Sequence, residues 1–397
     1  MLWLLLGLFA MPVLLCGFAV SYREPLSAWA LVNIAVYPAL VLGSIALHEA
    51  GHALVARAVG LRVPRITIGI GRRWARWRRG GTTYLLNAFP LSAMTSVGGD
   101  PARGLRWRYW VSIAVGPLVT LAILGVVLAW GPPLSLREIA FPTAAVASRV
   151  ALRELIGFAN LWMLAANLLP LPAHSFGIGL TDGRQLLTVP FASAKRLEAL
   201  RTSPAVLDAL DASEDEDHER ARQILETALQ RFPGSWTLRN SLAIVDLKLE
   251  RLGEARAEFL ALVEAEPPTP DARWIARNNL AWVDYRLRAD ELRDEADAHS
   301  EAVLREYKGA GWAMGTRGAV LSWLGRHREA VPLLEGAYLR NSIPANRAFN
   351  AAALAVSLAA LGRMKEATVW LERVKANHPK SPLLAEATAA VAAATNR

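Results

Sequence analysis

Residues 28–58 form one apolar run longer than the roughly 20 residues a membrane-crossing helix needs, and His48-Glu49-Ala50-Gly51-His52 lies inside it. Charged groups at the centre of a span cost roughly 2.5–3.5 kcal/mol each. Three ionisable residues so close together on an apolar helix therefore need a compensating partner. A metal ion supplies one. Residues i and i+4 share a helix face about 6 Å apart, so both imidazoles can close on one Zn2+ at about 2.0–2.1 Å. This His-Glu-x-x-His pattern is a zinc-metalloprotease signature. His48 and His52 read as metal ligands. Glu49, one residue on, stands beside the metal as a catalytic base. It is placed to take a proton from a bound water whose pKa zinc lowers to about 7.

Three further segments, 1–20, 109–130 and 154–172, are long and apolar enough to cross a bilayer. Segment 1–20 reads as a retained helix rather than a cleaved signal, because no basic residue precedes it and no small-x-small site follows. Between Arg57 and Arg108 there are eleven arginines and one acid, Asp100. The positive-inside rule puts this loop in the cytoplasm, and counting outward puts both termini there too.

Charge divides the chain. Residues 1–204 hold 19 Lys and Arg against 7 Asp and Glu, while residues 205–397 hold 25 against 28. The basic character belongs to the half with the apolar runs, so the partner it implies is an anionic lipid surface. Neither a basic groove nor a nucleic-acid module accompanies it, which argues against nucleic acid. The one cysteine, Cys16, excludes an intrachain disulfide and fits a bacterial inner membrane protein with a cytoplasmic domain.

A catalytic zinc needs a third protein ligand and an open fourth position. The best candidate follows the 154–172 segment, where Asn167-Leu168-Leu169-Pro170-Leu171-Pro172 precedes Thr181-Asp182-Gly183. Prolines break a helix, and backbone freed at membrane depth must line a shielded cavity. Asp182 can turn from there towards the histidines, with His174 as the competing ligand.

His48 to His52, with Asn167, Pro170, Pro172, Asp182 and Gly183, resemble the site-2 protease family of intramembrane metalloproteases. Gly116-Pro117, on the 109–130 segment, resembles that family's small-residue packing motif. The resemblance covers about residues 30–190. It implies that Asp182 completes the zinc site and that Asn167 holds the scissile carbonyl or the substrate backbone, as a neutral amide can steady an oxyanion. It also implies a membrane-associated β segment from Val63 to Val97: a strand, a turn at Gly69–Gly71, a basic patch, a strand at Thr82–Ala88, then Pro90. Such an edge can accept an unwound substrate as an added strand. Arg72, Arg73, Trp74, Arg76, Trp77, Arg78 and Arg79 read as an interfacial anchor. Two departures stand out. Eight residues, Ala173 to Leu180, separate the second proline from Thr181-Asp182, and Leu91-Ser92-Ala93 replaces a glycine-rich turn after Pro90.

From about residue 205 the pattern becomes one of soluble amphipathic helices with an internal period. Ala221 and Ala255 are 34 residues apart, as are Ala296 and Ala330, and Ala367 continues the series. Pro233, Pro267 and Pro379 each follow such an alanine by twelve. These residues resemble tetratricopeptide repeats, with an insertion around Pro267–Asp271. Stacked helix pairs leave a groove that suits a protein or peptide partner.

The expected fold is mainly α: a polytopic helical membrane domain over 1–204, with about four spans and a small β segment, then an α-solenoid over 205–397. The expected activity is zinc-dependent hydrolysis of peptide bonds in or near the spans of membrane protein substrates, with the repeats recruiting or regulating. The alternative is a non-catalytic membrane scaffold with a structural metal site.

Overall fold

A computed structural model describes residues 27–101, 103–170, 181–341, 343–379 and 381–395. The expected span at 1–20, Pro172 and His174 lie outside the described residues. The chain divides into two compact units, Met1–Asp211 and Ala212–Arg397.

Unit one is built on α1 (Ala28–Ala58), α2 (Leu105–Ala129) and α5 (Leu152–Leu168). At 1.5 Å per residue the 31 residues of α1 run about 46 Å, more than the roughly 30 Å of a hydrocarbon core. α1 and α2 are the two described helices long and apolar enough to cross a membrane. α5 has 17 residues and stops at Leu168, short of the expected 172. The cause is Pro170, because the residue before a proline is driven out of the helical region and Leu169 sits at ψ 125°. Tyr37, Val41 and Ile45 of α1 pack on Leu155, Phe158 and Met163 of α5. Two short helices, α3 (Leu136–Ala140) and α4 (Thr143–Ser148), join α2 to α5.

Buried polar groups close this end of the unit. The fully buried Asn33 amide donates to Val146 O at 2.9 Å and Arg149 O at 2.7 Å, and its oxygen accepts from Ala151 N at 3.0 Å. Every polar atom of that side chain is thus paired, which removes the cost of burying it. The Arg153 guanidinium donates to Val127 O and Leu128 O in the last turn of α2 and to Pro132 O just beyond it, satisfying orphan carbonyls at that helix end.

Between α1 and α2 lie β1 (Arg62–Arg79) and β2 (Thr82–Gly98), paired antiparallel. The tight turn is Gly80–Gly81, both at positive φ, and not the expected Gly69–Gly71. Those two glycines also take positive φ, but as irregularities within β1, where pairing shifts register and continues. Asn87 Nδ2 donates to Gly69 O there at 2.9 Å. The first part of β1 is flanked on both sides: Ile66 faces Thr95 and also Tyr84. Two helices follow α5 in this unit, α6 (Asp182–Thr188) and α7 (Ala194–Glu214).

Unit two is a run of antiparallel helix pairs: α8 (His218–Arg231), α9 (Trp236–Lys248), α10 (Leu252–Glu264), α11 (Pro270–Leu287), α12 (Arg293–Glu306), α13 (Gly311–Trp323), α14 (His327–Arg340), α15 (Pro344–Ala360), α16 (Met364–Asn377) and α17 (Leu384–Thr395). The anchors Ala221, Ala255, Ala296, Ala330 and Ala367 fall on α8, α10, α12, α14 and α16, and all are fully buried. A larger side chain there would hold neighbouring helices apart. Most of the expected insertion lengthens a helix rather than the loop at Pro267–Asp271, since α11 has 18 residues where α9 has 13. A buried ion pair recurs with the period. Arg222 bonds Asp246 at 2.8 Å and Arg256 bonds Asp284 at 2.7 Å. In the next repeat the polarity reverses, with Asp297 after the alanine and Arg317 as its partner.

Candidate metal centre

The site forms where the last third of α1 meets the middle of α2. Gly51 of α1 and Gly116 of α2 permit the close approach. A Cβ on Gly51 would stand 2.9 Å from Val119 Cγ2. One on Gly116 would overlap His52 Nε2 and stand 2.7 Å from His48 Nε2. Small residues at a helix contact thus make room for two imidazoles.

Both rings are buried, and each is aimed by α2. His52 Nδ1 lies 2.7 Å from the Ser112 carbonyl oxygen. A carbonyl only accepts, so Nδ1 carries the proton. His48 Nδ1 lies 2.8 Å from Thr120 Oγ1, and the Thr120 hydroxyl spends its own hydrogen on Gly116 O at 3.2 Å. Thr120 therefore accepts, and His48 Nδ1 carries the proton as well. In its neutral form a ring so bonded keeps a bare lone pair on Nε2.

Those lone pairs converge. His48 Nε2 and His52 Nε2 are 3.1 Å apart. Asp182 Oδ2 is 3.0 Å from the first and 3.4 Å from the second. With both rings neutral these are three acceptors facing each other, and they repel unless a proton or a metal ion lies between them. Tetrahedral ligands at about 2.0–2.1 Å from zinc sit about 3.3 Å from one another, close to the spacing here. The donor set thus fits a zinc ion, and the Nδ1 partners are the supporting bonds that metal-binding histidines use.

Asp182 gets there through α6. Thr181 caps that helix, accepting from Arg184 N and donating to Leu169 O at 2.6 Å. Gly183 is buried against the end of α5, where an added Cβ would overlap Leu168 O and stand 2.8 Å from Leu168 Cα. The Asp-Gly pair is therefore steric as well as chemical. Tyr109 Oη donates to Gln185 Oε1 and Trp110 Nε1 to Leu186 O, each at 2.9 Å, so α2 fixes α6 too. The long segment ahead of Asp182 does not keep it from the histidines.

Glu49 is half-buried, and its Oε2 accepts from Thr95 Oγ1 at 2.6 Å. Asn167 Nδ2 lies 3.4 Å from His48 Nε2, which puts the amide at the rim of the lone-pair cluster. The reading from residue types did not single out Thr95 or Thr120. Ser112, Gly116 and Thr120 follow one another at four-residue spacing on an apolar helix, a pattern that marks one small and polar face. Thr95 carries no comparable signal.

The arginine–tryptophan patch divides. Trp74 stays largely exposed at 69%. Arg78 pairs with Asp208 of α7 at 2.9 Å, and Arg76 donates to Asp211 O at 3.1 Å. At least these two arginines are spent on a protein carboxylate and carbonyl rather than on headgroups.

Residues 37–136 match the model of peptidase family M50, and residues 212–276 match a tetratricopeptide repeat model. The chain thus combines a peptidase family M50 (site-2 protease) segment with tetratricopeptide repeats. Zinc metalloprotease Rip1 of Mycobacterium bovis (strain BCG / Pasteur 1173P2) is 35% identical over 120 residues, covering 25% of this chain and 30% of that protein. Zinc metalloprotease Rip1 of Mycolicibacterium smegmatis is 30% identical over 151 residues, covering 31% and 37%. Regulator of sigma-E protease RseP of Salmonella typhimurium is 42% identical over 60 residues, covering 15% and 13%. The chain spans about a third of the length of the Rip1 proteins it matches. A tetratricopeptide-repeat protein of Thermus thermophilus aligns with 49% of the chain and 99% of its own length, at 20% identity and a TM-score of 0.38.

Proposed function

We propose that this chain is an intramembrane zinc endopeptidase that cuts peptide bonds in or near the spans of membrane proteins. The observation that carries the reading is the convergence of two imidazole Nε2 atoms and one carboxylate oxygen, with a second carboxylate, Glu49, alongside. His48, His52 and Asp182 would hold the metal. When bound, zinc would supply Lewis acidity to a water and to the scissile carbonyl.

The chain's own groups do the rest. Glu49 takes the proton from the attacking water and returns it to the leaving amine, the exchange a positioned carboxylate performs. Asn167 offers an amide N–H where negative charge grows on the carbonyl oxygen. The burial of both histidines keeps competing water from the site. The bilayer is the medium, with α1 and α2 crossing it and the arginine-rich loop on the cytoplasmic side. The repeats recruit or regulate by binding a protein or peptide in the cytoplasm.

The test is Glu49→Gln in the full-length protein, incubated in micelles with a quenched-fluorescent peptide bearing one apolar span. Cleavage should drop by at least the 10²–10⁴ typical of a lost general base, with zinc content unchanged. Unchanged cleavage rules the mechanism out.

A further inference from the structure

We propose that Thr95 is the positioning residue for Glu49, and that Asp211 anchors the strand pair that carries Thr95. The inference rests on the proteolytic reading above.

A glutamate side chain has three rotatable bonds, and on a helix facing a cavity it samples several rotamers. Proton transfer needs it within about 0.5 Å of one place. Thr95 Oγ1 donates to Glu49 Oε2 at 2.6 Å and also lies 3.4 Å from Glu49 O. A short bond to a carboxylate is charge-assisted and holds one oxygen, which leaves Oε1 for the proton of the water. Threonine suits the task because its branched Cβ restricts χ1.

The hydroxyl is only as well placed as its strand. Thr95 pairs with Ile66, which is buried between the end of α1 and the start of α2. Next to Ile66, Arg65 partners Ser96 on one side and Thr83 on the other. Both Arg65 and Thr83 bond Asp211, a carboxylate 1% exposed, Thr83 at 2.5 Å. Arg76 donates to the same residue's carbonyl. Three positions across the strand pair thus meet one residue of α7. The far end is held too: Gly99 N donates to Leu200 O at 2.9 Å, and a Cβ on Gly98 would stand 3.1 Å from Pro204 Cδ. A sheet of only two strands is marginal alone, so α7 supplies the rigidity that Thr95 transmits.

The test uses the full-length protein in detergent micelles with two readouts. In Thr95→Val, a near-isosteric change, kcat on the single-span peptide should fall 10–100-fold while KM and zinc content hold. Thr95→Ser should recover to within about threefold, since it restores the donor. Without any substrate, amide hydrogen exchange over residues 93–98 should speed up about tenfold in Thr95→Val and not in Thr95→Ser. Asp211→Asn should speed exchange along both strands. Wild-type kcat in Thr95→Val beside an inactive Glu49→Gln would overturn the positioning role and leave the proteolytic reading standing. If Glu49→Gln cleaves like wild type, the proteolytic reading fails, and exchange alone decides whether Thr95 holds Glu49. Unchanged exchange in Thr95→Val refutes the tether in either case.

Discussion

Gly116 packs so closely on His52 that a Cβ on the glycine would overlap the imidazole Nε2. The helix contact and the metal site are therefore one feature, since the absent side chain is the room into which two ring nitrogens point.

Gly116→Ala should abolish tight zinc binding while leaving the helices formed. Alanine favours a helix by about 1 kcal/mol over glycine, so α2 itself gains. The added methyl meets both Nε2 atoms and separates them. Zinc per protein after dialysis should fall towards zero with the circular dichroism spectrum retained. Full zinc content would show that the rings point elsewhere.

Asp182→Asn should weaken zinc binding by more than the 10–100-fold typical of a lost supporting bond, because in the proposed site the carboxylate is itself a ligand. The amide keeps the volume and the α6 cap at Thr181. Competition against a chromogenic chelator measures the change, and an affinity equal to wild type removes Asp182 from the site.

Thr120→Val should cost 10–100-fold in zinc affinity, and Thr120→Ser should restore it. The hydroxyl accepts from His48 Nδ1 at 2.8 Å, and without it the ring loses both its tautomer and its aim. Equal affinities for the valine and serine variants would show that the hydroxyl does nothing for the ring.

Asp284 gives the repeats a pH dependence of unusual sign. Burial pushes its carboxyl up to about 6, against the pull of Arg256, and Oδ2 is buried with no partner among the described residues. The unfolded chain ionises near 3.8, so between about 4 and 6 the folded state holds the extra proton. Stability from this group is then lost as pH rises through that window, by up to about 3 kcal/mol. The difference in unfolding free energy between wild type and Asp284→Asn should move against wild type from pH 4 to pH 7. A difference that stays flat refutes the shift.

The helical character, the two long apolar helices and the repeat period were open to reading because each is a local pattern. Ala221, Ala255, Ala296, Ala330 and Ala367 mark a spacing, and a spacing survives in one dimension. His48 and His52 were open for the same reason, since four residues of helix fix their separation before anything packs. Gly69–Gly71 misled because positive φ serves a bulge as well as a turn, and only strand pairing tells them apart.

Asp182 was one of two candidates by sequence, 130 residues from His52. Its arrival rests on α6 being held by Tyr109 and Trp110 and on Gly183 fitting under Leu168. Thr120 sat on a readable small and polar face, but Thr95 and Asp211 were beyond sequence reasoning, because a hydroxyl or carboxylate gains its role from what it faces. The residue types set the chemistry this chain can do: two imidazoles and an acid on one apolar helix. Packing alone brought Asp182 to the histidines, set the Nδ1 partners and put a hydroxyl on Glu49, because hydrogen bonds act over about 3 Å and chain distance says nothing about that.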